Sequence, residues 1–103
     1  MTKFSIIYSD RFLNHKTGNG HPECPERLIS IVKQLKNSHI SSKFNWIEPT
    51  KIEKDKLLKI HSSEMVDYVQ LACNNDSGFL DADTPVCPES FEIALLSAGA
   101  WIN

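Results

Sequence analysis

His15-Lys16-Thr17-Gly18-Asn19-Gly20-His21-Pro22-Glu23-Cys24-Pro25-Glu26-Arg27-Leu28 places two histidines, two glycines, two prolines and an arginine directly ahead of a helical pattern. Glycines at 18 and 20 admit backbone angles closed to other residues, and prolines at 22 and 25 stiffen the exit of the loop. Pro25 suits a first helical turn, and Leu28, Ile31, Val32 and Leu35 follow at i, i+3, i+4 and i+7, which predicts a helix over 25–37. A shaped loop hung on a rigid element is a common seat of function.

Upstream, Phe4-Ser5-Ile6-Ile7-Tyr8 is a short apolar run ending at Ser9-Asp10, which predicts a buried strand and a turn. Downstream, Asn37-Ser38 breaks the helix and Phe44-Asn45-Trp46-Ile47 ahead of Pro49 predicts a second strand. Thr50-Lys51-Ile52-Glu53 matches a capping box and predicts a short helix to about Lys59. Ser62 is placed to cap another, with Met65, Val66, Val69 and Ala72 on one face as far as Asn74-Asn75-Asp76-Ser77-Gly78. A last helix is expected from near Pro88, with Phe91, Ala94, Leu95, Ala98, Trp101 and Ile102 on its stripe. Small residues Ala94, Ala98 and Gly99 let it lie close to a neighbour.

This order of elements predicts an α/β layer fold with parallel strands. Two short strands do not make a parallel sheet covered on both faces, and nothing caps the last helix after Asn103. The chain therefore reads as the beginning of a larger domain.

The composition of the 103 residues, 41% hydrophobic and 23% charged, is that of one small globular domain. A net charge of -2 offers no electrostatic footprint for nucleic acid or an anionic membrane. Apolar runs such as Ile93 to Leu96 are far too short for a membrane span, and no signal-peptide pattern opens the chain, so a cytoplasmic location is expected. Cys24, Cys73 and Cys87 are odd in number and form no Cys-x-x-Cys pair, which predicts reduced thiols.

The pattern His15-x-Thr17-Gly18-x-Gly20-His21-Pro22-Glu23-x-Pro25-x-Arg27-Leu28 resembles the N-terminal signature of the histone deacetylase superfamily, especially its acetoin-utilisation and acetylpolyamine-amidohydrolase-like members. Two further matches keep the order. His61-Ser62-x-Glu64 resembles the family's His-Ser segment at a helix start. Leu80-Asp81-Ala82-Asp83-Thr84-Pro85-Val86-x-Pro88-x-Ser90, then Ala94-Leu95-x-x-Ala98-Gly99-Ala100, resembles its substrate loop and following helix. Met65 departs from the pattern, since relatives usually carry Tyr there.

The resemblance implies the N-terminal part of an arginase/deacetylase-like three-layer α/β fold, with few parallel strands and several helices. Residues 1–103 would then form a single incomplete domain. It also implies kinship with zinc-dependent hydrolases of acetylated amines, in which a metal polarises the amide carbonyl and activates water. In that family the machinery is a His-His pair, an Asp-x-His with a further Asp, and a late Tyr. This sequence has no His-His and no Asp-x-His, and neither Tyr8 nor Tyr68 sits in a glycine-rich motif. By resemblance, His15, Gly20, His21, Pro22, Arg27, Asp81 and Asp83 surround the pocket. Arg27 would lie near an internal channel, the two aspartates at the substrate rim, and no catalytic residue or metal ligand falls within the chain.

Simpler readings compete. His15 and His21 would need a third converging ligand to hold a metal, and Cys24 is the only obvious one; a structural role is favoured, one ring bonding the loop backbone and the other packing beneath it. Arg27 is expected to be buried and paired with the loop. Asp81 and Asp83 lack the further oxygen ligands of a calcium site, and a turn or cap role for Asp83 stands equal to a functional one. His61 fits a helix start, and His39 solvent. Two functional expectations remain: an inactive N-terminal part of a deacetylase-like amidohydrolase, with no zinc in this chain, or a non-catalytic binding or assembly module. Either way the bare sheet edge and last helix predict a homo-oligomer, unless a missing C-terminal portion covers them.

Overall fold

A computed structural model describes residues 4–102; the uncapped end expected at Asn103 lies outside them. Strand β1 (Phe4–Ile7) leads into a 3-10 turn at Asp10–Asn14, whose first backbone donors are met by Ser9: its Oγ accepts from the Arg11 N–H at 3.1 Å. The loop then enters helix α1 (Pro25–Asn37), a 3-10 turn at Ser41–Lys43 and strand β2 (Phe44–Ile47). β2 runs parallel to β1, with Phe4 opposite Phe44 and Ile7 opposite Ile47. Tyr8, Phe12, Phe44 and Trp46 meet edge to face beside this pair, and the Lys36 ammonium lies 5.1 Å from the Trp46 ring centre.

The second half holds α2 (Lys54–Leu57), α3 (Ser63–Asn74), a hairpin of β3 (Phe79–Asp81) and β4 (Thr84–Pro85), and α4 (Ser90–Ile102). The core lies here. Val66 and Cys73 of α3, Val86 after the hairpin and Phe91 of α4 form its centre, with Leu57, Val69, Leu80 and Leu95 packed around them. Burial pushes the Cys73 thiol pKa up, because the charged thiolate loses water there. All three cysteines are free.

The two expected strands, the 25–37 helix and the Ser62 cap are observed; the Ser62 Oγ accepts from the Met65 N–H at 3.1 Å. Five expectations are corrected. Strand β1 is not buried: Phe4, Ser5 and Ile7 are exposed and Ile6 is half-buried, since among the described residues only β2 pairs with it. No capping box forms at Thr50, because the 50–52 segment is extended against α4 and the Ile52 N–H donates to the Leu95 carbonyl at 3.0 Å; α2 therefore begins beyond Glu53. Met65 is half exposed, since the buried face of α3 is Val66, Ala72 and Cys73. The buried stripe of α4 is Phe91, Leu96 and Gly99 rather than the Ala94–Ala98–Trp101 row, because the 50–52 strap crosses at Gly99. On α1, Leu28, Val32 and Leu35 are only half-buried and Ile31 is exposed, for little of the chain covers that helix.

The closeness foreseen for the last helix is real at Gly99. A Cβ there would run into the backbone carbonyl of Thr50 and lie 2.8 Å from the Ile52 nitrogen. Lys51 pairs with Glu92 and Lys54 with Asp67, both at the surface. No described helix is long and apolar enough to cross a membrane.

Candidate functional site

The loop from His15 to Cys24 is held by its own chemistry first. Gly18 and Gly20 take φ of +92° and +82°, which L side chains rarely adopt, although space is open at both. The buried Thr17 hydroxyl crosses the loop and donates to the Glu23 carbonyl at 2.6 Å. The Glu23 N–H donates to His21 Nδ1 at 3.1 Å, so the His21 ring proton belongs on Nε2. That nitrogen is buried without a hydrogen-bond partner and faces the exposed Asp83 carboxylate at 3.8 Å.

His15 is anchored from the other end of the chain. Its Nδ1 lies 2.6 Å from Ser90 Oγ, in the first turn of α4. The same oxygen accepts from the Cys87 N–H at 2.9 Å. The Cys87 thiol donates to the Asn14 carbonyl at 3.0 Å, and its sulfur accepts from the Lys16 N–H at 3.3 Å. With those donors spoken for, the Ser90 hydroxyl hydrogen goes to His15 Nδ1. The His15 proton then sits on Nε2, 3.8 Å from the Glu23 carboxylate. His15 thus bonds a remote side chain rather than merely packing beneath the loop, as expected above.

Between this network and α1 opens a cavity of about 410 Å3, with His15, Glu23, Cys24, Arg27 and Ser90 among its walls. Arg27 is exposed at its edge, which corrects the expectation of a buried arginine: its backbone N–H donates to the Cys24 carbonyl at the start of α1, and its side chain stays at the surface. Gly20 and Pro22 are exposed on the loop, away from these walls.

Asp81 and Asp83 belong to the β3–β4 hairpin, which was not foreseen. The turn role falls to Asp81, whose Oδ1 accepts from the Asp83 N–H at 2.9 Å. A hydrogen bond from the Thr84 hydroxyl, then that backbone bond, hold the Asp81 carboxyl below its usual range. Asp83 is left exposed, pointing back to His21. His61 sits just before the Ser62 cap, and His39 is exposed. The structure brings His15 to Arg27 and His21 to Asp83, and adds Ser90 and Cys87 as anchors; no one-dimensional signal links residue 15 to residue 90.

Among the described residues, no three His, Cys, Asp or Glu side chains converge to hold a metal ion. Both histidines are committed to loop and helix contacts instead.

Parallel strands, an apolar closing helix and a glycine-shaped loop pinned to that helix define a partial α/β layer domain. The histone deacetylase domain family matches over residues 21–103, and the chain belongs to that family. An uncharacterized protein of Synechocystis sp. is 37% identical over 102 residues, covering 96% of this chain and 34% of that protein. A probable deacetylase of Methanothermobacter thermautotrophicus is 37% identical over 94 residues, covering 91% of this chain and 28% of its own length. The crystal structure of the HDA15 HD domain superposes with a TM-score of 0.83 at 28% identity, over 96% of this chain and 30% of that one. The chain thus spans about a third or less of the relatives it matches.

Proposed function

We propose that these residues form the loop-and-rim portion of a deacetylase-type amide hydrolase acting on acetylated amines, and that alone they neither bind the catalytic zinc nor hydrolyse an amide. The observation that carries the reading is the match itself: nearly the whole chain corresponds to about a third of the relatives, some of which are named as probable deacetylases. The site supplies walls rather than reacting groups. His15 and Arg27 line the cavity, and by the family resemblance Gly20, His21, Pro22, Asp81 and Asp83 would stand around the substrate entrance of the whole enzyme. Arg27 offers an exposed cation beside the open cavity, and Asp81 holds the turn that presents the Asp83 carboxylate to a cationic or amide-bearing substrate. The setting is cytoplasmic, with neither nucleic acid nor membrane as partner.

A second reading, a non-catalytic oligomeric binding or assembly module, is favoured by one feature: Trp101 is 91% exposed at the end of an almost wholly apolar helix. On this reading the isolated chain self-associates through that surface. Elemental analysis and an acetyl-lysine peptide assay on the purified chain test the first reading. No stoichiometric zinc and no turnover are expected; one tightly bound zinc per chain with measurable turnover would overturn it. Sedimentation tests the second, for which a concentration-independent monomer is the contrary result.

A further inference from the structure

The loop that gives only walls to the amide-hydrolase reading carries a reacting set of its own. Ser90, His15 and Glu23 come from three separate stretches of chain and all stand on the wall of the same cavity. The Ser90 Oγ lies 2.6 Å from His15 Nδ1, within the reach at which an imidazole takes a proton from a hydroxyl. The other ring nitrogen, Nε2, is 3.8 Å from the Glu23 carboxylate. A nucleophile, a base and a carboxylate behind the base follow in that order, and such a set is defined by geometry and roles rather than by sequence position.

Each part is held in place. Ser90 is 6% exposed, and its Oγ accepts from the Cys87 N–H, which leaves the hydroxyl hydrogen for His15. The His15 N–H closes the turn before it on the Phe12 carbonyl at 3.3 Å. Glu23 is fixed through its backbone on both sides, by the Thr17 hydroxyl and by His21. The Cys87 thiol, 3.3 Å from the Ser90 Oγ, is the rival nucleophile, but its hydrogen is given to the Asn14 carbonyl.

The cavity sets the size of what can react. Its volume of about 410 Å3 falls in the range of small-molecule sites, and Phe12, Leu28, Ile93 and Ala94 make much of the wall apolar. Arg27, at its edge, brings positive charge to where a carbonyl oxygen would turn negative. We propose that Ser90 is an acylatable nucleophile, with His15 as its base and Glu23 as the positioning residue, and that the cavity takes small esters with a good leaving group. The Ser90 Oγ bonds to the ester carbonyl carbon as its proton passes to His15 Nδ1; the bond to the leaving oxygen breaks, and the alcohol departs with that proton. Water then bonds to the acyl carbon and gives a proton to His15; the bond to Ser90 Oγ breaks, the serine regains the proton, and the carboxylic acid leaves. Glu23 steadies the imidazolium that forms in each half.

The purified chain is tested with a fluorophosphonate, which marks activated serines, and with p-nitrophenyl acetate. Peptide mass spectrometry is expected to find the phosphonyl group on Ser90, formed about a hundredfold or more faster than in the chain unfolded in urea and at the same rate in EDTA. Nitrophenol release is expected with acetyl carried on Ser90. Because Ser90→Ala also strands buried groups, the cleaner variant is the surface change Glu23→Gln: circular dichroism is kept, labelling slows by about tenfold, and Glu23→Asp recovers part of the rate. The proposal is overturned if Ser90 is not labelled, if the label falls on Cys87 or elsewhere instead, if unfolding or EDTA shows the rate to owe nothing to the fold or everything to a metal, or if Glu23→Gln reacts as fast as the parent. None of these outcomes depends on the deacetylase reading, whose own test is zinc content and amide turnover.

Discussion

The two ends of α4 have different surroundings. At the first, Ser90 and Phe91 are buried, and a chain of bonds runs from Ser90 through Cys87 and His15 to the loop. At the last, Trp101 and Ile102 stand in solvent beside an edge of β1 that no other described strand pairs with. The first turn, Ser90-Phe91-Glu92-Ile93, is the more polar in sequence and yet holds the buried residues, while Gly99-Ala100-Trp101-Ile102 ends in solvent, so hydrophobicity does not separate a finished junction from an open one. Polar satisfaction does: where buried donors and acceptors find partners, packing is complete, and where apolar surface faces unpaired backbone it is not.

The contrast breaks most sharply at the middle of the helix. Gly99→Ala drives a methyl into the backbone of the 50–52 strap, which has no rotamer by which to yield. A loss of about 3 kcal/mol is expected, enough to unfold much of this small chain; urea denaturation followed by circular dichroism measures it. A loss under about 0.5 kcal/mol would mean that the strap does not hold α4 in place.

At the finished end, Ser90→Ala strips the Cys87 N–H of its acceptor and leaves His15 Nδ1 without a donor. About 2 kcal/mol is expected, the cost of stranding buried polar groups, together with faster amide exchange across 15–24. Away from both ends, Ser62→Ala removes only the α3 cap, at about 1 kcal/mol with the loop unaffected.

The smallest effect is one of pH. Asp81 is held below its ordinary range, so its contribution to the hairpin is complete above about pH 4 and is lost as pH falls through its lower folded value. The Asp81 side-chain carboxyl carbon signal, which reports that group alone, is expected to move in that acid window. A change centred at or above the ordinary aspartate value would contradict the Asp81 assignment.

Much of this contrast was legible in the sequence, and what was not has physical causes. The helix over 25–37 was plain because Pro25 and the Leu28–Leu35 spacing agree, and α3 because Ser62 caps it. The hairpin was hidden because strands of three and two residues carry no period. The capping box failed because the Ile52 N–H belongs to Leu95, a tertiary claim on a local motif. Of the site, the loop was visible through its glycines and prolines; its anchors were not, since His15 and Ser90 meet only after the chain has folded back through α3 and the hairpin.

Hydrogen exchange of the chain alone, at a concentration where it is monomeric, tests the contrast most directly. The account predicts strong protection at Ser90 and Leu96 and at the Ile6 and Tyr8 amides that face β2, with the Ser5 and Ile7 amides, which the parallel register turns away from β2, exchanging freely. Ser5 and Ile7 amides as protected as their neighbours in the dilute monomer would contradict it, for the edge described here would then already be closed.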